Sequence, residues 1–482
     1  MPATRGSPPG RARNVLWLMS DQHSVRALGC YGNPVVQTPH LDRLAAQGLR
    51  FDRAYCAYPV CVPARFTMLT GRYPHHTGCV GNNSPLPLRE RTVAHHFGHA
   101  GYATAFVGKL HPVDGQTHGF DYYMDFGHYY DYLGPKTAVF TAGMGAEDSG
   151  CGSPWITVFR EGPGGQRSPW VAPDAPRHND TLAVHQLLDE PDHFESFVAR
   201  ETIRFLETYR DEPQLVVASF LKPHNPFAPP AEYAALYRPE EMPLPAWSDP
   251  GPDALPPQVR AHAVPGAGTP AGEAWGRRFL AAYYGNVTHM DACAGRILDA
   301  LERLGLAEDT LVLYTTDHGE MGYEHGLRGK FNFFEASARL PLLARLPGVT
   351  PAGGTTAALV DQADFVPTLL EVCGVAPATR SRSLDGTSFA PVLADPARPG
   401  KTVAFGEFAL HTGRPFYMRR TDRWKYILYT AGGEALYEPG ADPYEQTNLA
   451  PDPAYGDVVA AERGAMLAYL RAEGAPLPAH PA

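Results

Sequence analysis

Residues 14–22 read Asn14-Val15-Leu16-Trp17-Leu18-Met19-Ser20-Asp21-Gln22, an apolar run that stops at a carboxylate and an amide. So short a run, bounded by polar residues, predicts a buried strand over 14–19. Three further runs repeat the pattern. A strand over 102–107 leads into Lys109-Leu110-His111, one over 214–221 into Lys222-Pro223-His224, and one over 310–316 into Asp317-His318. Amphipathic stretches between them predict helices at 39–47, 92–100, 193–210 and 273–304. The first has Thr38 as N-cap, Pro39 in its first turn and Gly48 past its end. Strands alternating with helices specify an α/β architecture around a mostly parallel sheet. In such a sheet the ligand crevice lies beyond the carboxyl ends of the strands. One strand ending in polar residues is ordinary, but four ending in ionisable or metal-binding residues are hard to obtain by chance.

After about residue 400 the pattern changes. Segments 403–408, 415–420, 424–429 and 435–438 read as short antiparallel strands, and 455–472 as a closing helix. The expected organisation is a flexible segment over 1–13, a large α/β domain over 14–400 and a small α+β domain over 401–482. At about 150 residues per domain, 482 residues allow two to three such units. Gly and Pro, 48 of each, gather in loops at 143–176 and 223–272.

Composition narrows the function. A hydrophobic fraction of 44% supplies a substantial core and excludes wholesale disorder. The net charge of −10 argues against nucleic-acid binding, yet leaves an anionic substrate open, since steering depends on charge inside the cleft. No apolar run approaches the ~18–20 residues of a membrane span, and 14–21 turns polar too soon for a signal-peptide core. The seven cysteines are odd in number and scattered, which fits reduced thiols. The expectation is a cytoplasmic protein without nucleic-acid or membrane partners, with a homo-oligomer left open.

Two constellations carry chemistry. Asp21 with Gln22 and Asp317 with His318 offer two carboxylates, an amide oxygen and an imidazole. Such a set suits Ca²⁺ or Mg²⁺, and the imidazole admits Mn²⁺, whereas zinc draws more often on His and Cys. Each pair alone could equally be a helix cap. The other is Cys61-Val62-Pro63-Ala64-Arg65, which opens a helix ending near Leu69-Thr70-Gly71. A helix start stabilises an anionic or nucleophilic group, and Arg65 returns one turn later to the same spot. An arbitrary Cys there is more often a buried thiol. A thiol-phosphatase loop needs five residues between Cys and Arg, and three are present.

Cys61-Val62-Pro63-Ala64-Arg65 followed by Leu69-Thr70-Gly71-Arg72 resembles the sulfatase signature. The similarity runs along most of the chain: Ser20-Asp21-Gln22, Thr38-Pro39-His40-Leu41-Asp42, Gly108-Lys109-Leu110-His111, Lys222-Pro223-His224, Thr316-Asp317-His318-Gly319-Glu320 and Gly329-Lys330-Phe331. Near the C-terminus Asp422-Arg423-Trp424-Lys425-Tyr426 and Asp442 through Leu449 resemble the family's small domain. The resemblance implies an alkaline-phosphatase-like fold and hydrolysis of aryl or alkyl sulfate monoesters. It implies that Cys61 is oxidised to formylglycine by a formylglycine-generating enzyme, the aldehyde hydrate being the nucleophile. Asp21, Gln22, Asp317, His318 and residue 61 would hold one divalent cation, Ca²⁺ first, with Mn²⁺ or Mg²⁺ as alternatives. Arg65 would hold the formylglycine, Lys109 and Lys330 the sulfate oxygens. His224 would protonate the leaving oxygen, and His111 would take the remaining hydroxyl proton.

The chain departs from many sulfatases in carrying Gln22 and His318 where Asp and Asn are usual. That pattern resembles the choline-sulfatase and phosphonate-monoester-hydrolase branches, and Asn82 matches an Asn of both that would touch the substrate ester, or simply form a Gly-Asn-Asn turn. Lys109 and His111 keep the sulfatase pair, where the phosphonate branch usually has Tyr and Thr. The rival readings are a phosphonate monoester or phosphodiester hydrolase on the same scaffold, and a silent relative that binds sulfated ligands. Two weaker clusters complete the inventory. His95, His96 and His99 fit a half-exposed helix face better than a ligand set. Tyr122, Tyr123, Tyr129, Tyr130 and Tyr132 fit packing first, and otherwise a leaving-group pocket able to take a quaternary amine.

Overall fold

The computed structural model describes residues 12–112, 114–134, 188–225, 227–245, 255–378 and 381–477. The expected loop at 143–176, Cys151 and residues 1–11 of the expected flexible segment lie outside the described residues. Ala12 and Arg13 are tied to the body, their amides donating to the carbonyls of Val372 and Asp309.

An eight-stranded sheet has the order β4-β3-β5-β1-β6-β7-β2-β8. Its strands are β1 (Asn14–Asp21), β2 (Leu49–Tyr55), β3 (Ala103–Gly108), β4 (Tyr122–Met124), β5 (Gln214–Pro223), β6 (Thr310–Thr316), β7 (Arg339–Arg345) and β8 (Gly354–Asp361). All neighbours pair parallel except those of β7, which runs antiparallel to β6 and β2. Every residue of β1, β5 and β6 is buried, as parallel strands covered on both faces must be. Along β1, Val15, Trp17 and Met19 enter one core with the helix Phe365–Cys373, where Trp17 stacks on Phe365 at 5.1 Å. Leu16 and Leu18 enter the opposite core beneath the helices Pro39–Gln47, Phe194–Thr208 and Pro270–Arg303.

The four sequence-predicted strands and four helices all form, with ends shifted by at most a few residues. Thr38 precedes its helix, but its side chain does not cap it. The amides of His40 and Leu41 instead donate to the Asp291 carboxylate, reaching over from the long helix. Strands β2, β4, β7 and β8 are additional. β7 carries Pro341, which argues against a strand on sequence alone, and β2 is broken by a register shift between Phe51 and Ala54.

A second, antiparallel sheet has the order β12-β11-β10-β9, with β9 at Ala404–Phe408, β10 at Phe416–Arg420, β11 at Lys425–Tyr429 and β12 at Glu434–Tyr437. One face packs on the helix Gly456–Glu473 through Met466 and Leu470. The other packs Phe416, Met418 and Ile427 against Phe333 and Phe334 of the large domain. In the tyrosine-rich stretch Tyr129 packs edge-on to Phe194 and tilted against Phe197, and Tyr122 tilted against Phe205, while Tyr132 is exposed. His95 and His96 are bound to the backbone at Thr92 and Ala378. Among the described residues no helix is long and apolar enough to cross a membrane.

Gly108 joins fold to site. Its φ is 112°, and a Cβ there would stand 1.9 Å from the Ser219 carbonyl oxygen. Gly108→Ala must therefore part β3 from β5 and displace Lys109. We expect a loss of about 1–3 kcal/mol in denaturant unfolding together with reduced turnover; a variant as stable as the parent would contradict this account of the strand contact.

Candidate active site

Strands β3, β5, β1 and β6 are adjacent in the sheet, so their carboxyl ends lie side by side. The residues they present are Lys109, His224, Asp21 and Asp317. Cys61 arrives from elsewhere, as the first residue of the helix Cys61–Thr70, all of which is buried. Val60 before it offers no side-chain cap, and the free amide of Val62 is taken by Asn82 Oδ1 at 3.1 Å. Asn82 thus holds the helix start that carries Cys61, a contact neither sequence reading of it contained.

One turn along, Arg65 binds both metal-candidate carboxylates. Its Nη2 donates to Asp21 Oδ2 and its Nε to Asp317 Oδ2, each at 2.9 Å, with all three side chains buried. Its Nη1 donates to Ser219 Oγ at 2.7 Å and to the Lys109 carbonyl. Around the Cys61 sulfur stand Lys330 Nζ at 3.1 Å, His318 Nε2 at 3.3 Å and Lys109 Nζ at 3.7 Å. His111 and His224 also reach it. Burial alone would raise the Cys61 thiol, but Lys109, Lys330 and His318 outweigh it and hold the thiol well below its ordinary value. Anything anionic at position 61 is stabilised.

Ligand atoms of Asp21, Cys61, Asp317 and His318 lie within 4.8 Å of one another. Their partners orient them as ligands. His318 Nδ1 donates to the Gly319 carbonyl at 3.1 Å, leaving Nε2 to face Cys61 and Asp317. Gln22 donates its amide nitrogen to Glu320, which turns Oε1 inward, 2.9 Å from Lys330 Nζ. Burial and the charge of Asp21 raise the pKa of Asp317 even with Arg65 in contact. Two buried carboxylates that one guanidinium does not satisfy, beside an oriented imidazole and amide oxygen, fit a hard divalent cation.

Every sequence-predicted site residue lies in this cluster or, for Asn82, at its edge. Backbone strain gathers here as well: Gln22 and His111 adopt φ of 62° and 69°. His224 Nδ1 donates to the Asn225 carbonyl at 2.6 Å, and its Nε2 lies 3.9 Å from Asp21 Oδ1. Burial, then Lys109, pushes His224 down to about 4. Sequence reading missed Glu320, Ser219 and Gln362. Glu320 accepts from the Gly322 and Gly329 amides at 3.2 and 2.5 Å, and Gln362 donates to the Asp317 carbonyl at 2.6 Å. Only Glu320 carried a signal, two residues beyond the His318 it supports.

The arrangement defines an ester hydrolase of alkaline-phosphatase-like architecture. The family model Sulfatase matches residues 13–375, and the model N-sulphoglucosamine sulphohydrolase, C-terminal, matches 323–471. The chain is 29% identical to the choline-sulfatase of Rhizobium meliloti over 464 residues, covering 93% of this chain and 84% of that protein. It is 28% identical to the arylsulfatase of Clostridium perfringens, covering 90% of each. The crystal structure of the phosphonate monoester hydrolase of Agrobacterium radiobacter superposes with a TM-score of 0.79 at 26% identity, over 98% of this chain and all of that one. The chain belongs to the sulfatase family and is a sulfuric ester hydrolase.

Removing one partner of a buried ion pair strands the others. Arg65→Met is expected to cost about 3–5 kcal/mol of stability, and Arg65→Lys less, because an ammonium keeps the charge but cannot span both carboxylates. Denaturant unfolding of the two variants measures the difference. Full stability in Arg65→Met would show that Asp21 and Asp317 do not depend on it.

Proposed function

We propose that the protein hydrolyses small sulfate monoesters at residue 61 after oxidation of Cys61 to formylglycine, with a divalent cation, Ca²⁺ first, held by Asp21, Gln22, Asp317, His318 and residue 61. The observation that carries this reading is the placement of the Cys61 side chain against Lys109, Lys330 and His318 at the start of a buried helix. The formylglycine supplies a hydrated aldehyde as nucleophile and the cation neutralises sulfuryl oxygens.

The chain's own residues do the rest. Arg65 fixes the two carboxylates and the helix turn that bears residue 61. Lys109, just beyond β3, and Lys330, in the loop between β6 and β7, converge to bind the sulfuryl oxygens as point charges. The depressed pKa of His224 comes from burial and from these same lysines. An anionic ester between them offsets that charge, so His224 rises on binding and holds the proton that it gives to the leaving oxygen. His111 takes a proton from the side chain at 61 as sulfate departs. Maturation calls for a formylglycine-generating enzyme as partner. The described cysteines are all unpaired, which supports a cytoplasmic location.

Mass analysis of the peptide bearing Cys61 tests the modification: active protein should carry a sulfur-free residue 61, and Cys61→Ala should lose turnover while staying folded. An active preparation with unmodified cysteine throughout would refute the nucleophile. Assayed side by side, aryl sulfate should be turned over faster than aryl phosphonate or phosphodiester; the reverse order would move the enzyme to the phosphonate branch. A third measurement addresses His224. His224→Ala should steepen the dependence of rate on phenol pKa, because alkoxide-like leaving groups need the proton most, and an unchanged slope would assign the acid elsewhere.

A further inference from the structure

Where the helices Phe194–Thr208 and Pro270–Arg303 pack, three side chains outside the active site bring together groups that nothing in the protein satisfies. His193, Glu195 and His289 are each fully buried, and ligand atoms of the three lie within 4.8 Å of one another. His193 Nδ1, His289 Nδ1 and Glu195 Oε2 have no hydrogen-bond partner. Their other polar atoms are committed. His193 Nε2 donates to the Leu188 carbonyl at 3.2 Å, and His289 Nε2 to Glu190 Oε1 at 3.2 Å. Glu195 Oε1 accepts the backbone amide of Lys222 at 3.0 Å. An imidazole whose far nitrogen is anchored on a carbonyl or carboxylate, with the near one bare, is the arrangement of a metal-ligating histidine. Three bare polar atoms, one on each residue of a fully buried cluster whose ligand atoms lie within 4.8 Å, call for an occupant.

We propose that His193 Nδ1, His289 Nδ1 and Glu195 Oε2 form a second cation site, selective for zinc. Two imidazoles and one carboxylate are a zinc set, with a water completing the tetrahedron. The neighbouring Glu190 and Cys293 are not needed as ligands, because Arg296 Nη2 already serves both at 2.8 Å. Charge is favourable. Burial opposes a positive charge on His289, yet Cys293, Glu190 and Glu195 outweigh it and raise it to about 10, so a bound ion replaces a proton that the surroundings already draw in. Burial, then the charges of His289 and of the buried Lys222 ammonium, hold His193 down at about 3, where its lone pair is free. Lys222 opposes a cation here, and Glu195, Glu190 and Cys293 offset it. The ion also bears on catalysis at one remove. Through Glu195 it fixes the Lys222 amide near the end of β5, two residues before His224.

Zinc-edge anomalous diffraction from crystals of the full-length protein equilibrated with zinc tests the site directly. A peak enclosed by His193, Glu195 and His289 is expected, and its absence overturns the proposal whatever happens at Cys61. In solution, metal analysis after zinc equilibration should show one equivalent that persists in Asp317→Ala and is lost in both His193→Gln and Glu195→Gln, with circular dichroism reporting that those variants are folded. Folded variants that keep the full zinc content of the parent would overturn it equally.

Discussion

A single guanidinium organises the catalytic end of the sheet. Arg65 comes from a helix rather than a strand, and it grips Asp21 at the end of β1 and Asp317 just beyond β6. Those strands are neighbours in register through Ser20 and Thr316, so their terminal carboxylates are forced close together in a buried place. Without a cation between them the two charges would repel at low dielectric and one would take a proton. Arg65 offsets part of that repulsion, as does Lys109 Nζ 2.6 Å from Asp21, and Arg65 ties the Cys61 helix to the strand ends in the same stroke. It also reaches Ser219 and the Lys109 carbonyl, so all four strands that feed the site are joined to one side chain. The spacing of four residues from Cys61 to Arg65 is what lets both face the same point on one helical turn.

The legibility of the sequence follows from the same geometry. A central parallel strand is buried on both faces and must be apolar throughout, so β1, β5 and β6 stand out, and the polar residue that ends each one marks the crevice. The strands toward the other edge of the sheet obey weaker rules. β2 places Arg50, Asp52 and Arg53 at half-buried positions, and β8 at the edge alternates buried and exposed residues in its first half. β7 accommodates Pro341 because that residue falls at the register shift against β2 and outside the residues paired with β6. Direct contacts of the candidate site were readable because ionisable residues at strand ends are conspicuous. Ser219 and Gln362 were not, since each acts on a neighbour's backbone, a role that leaves no pattern in the chain, and Glu320 was marked only by its place two residues beyond His318. Asn82 shows the limit from the other side: its position was marked, yet its contact with the Val62 amide is a matter of three-dimensional approach.

The small sheet is held by an ionic contact as much as by its apolar face. Lys425 of β11 is buried, with Nζ 2.6 Å from both Glu335 and Glu445 and donating to the Phe333 carbonyl at 2.8 Å. Glu335 in turn accepts from Tyr55 of β2 at 3.0 Å, whose hydroxyl also receives Arg420 of β10 at 2.8 Å. A buried ammonium is tolerated only when its donors are used, and here the acceptors come from a short helix and two loops, Glu335 and Phe333 ahead of β7 and Glu445 beyond β12. The segment supplying Glu335 follows Lys330 directly. The small sheet therefore braces the stretch that places Lys330 Nζ against the Cys61 sulfur, although none of its own residues lies in the cluster.

Charge does not separate a sulfate monoester from a phosphonate monoester, since each carries one negative charge when ionised. Shape and polarity do. A sulfuryl group presents three oxygens beyond the leaving oxygen, and under the proposed function Lys109, Lys330 and the divalent cation supply three positive partners for them. A phosphonate replaces one of those oxygens with carbon. One buried cationic group would then face an apolar substituent after losing its water, and an unpaired charge in such a place is expensive. Sites built to meet a polar atom reject the analogue lacking it far more strongly than an apolar pocket rejects an added group. Under the proposed function, Lys109 and Lys330, both buried and both in reach of Cys61, would bias the site toward sulfate on physical grounds, even though the Gln22 and His318 pattern resembles both branches.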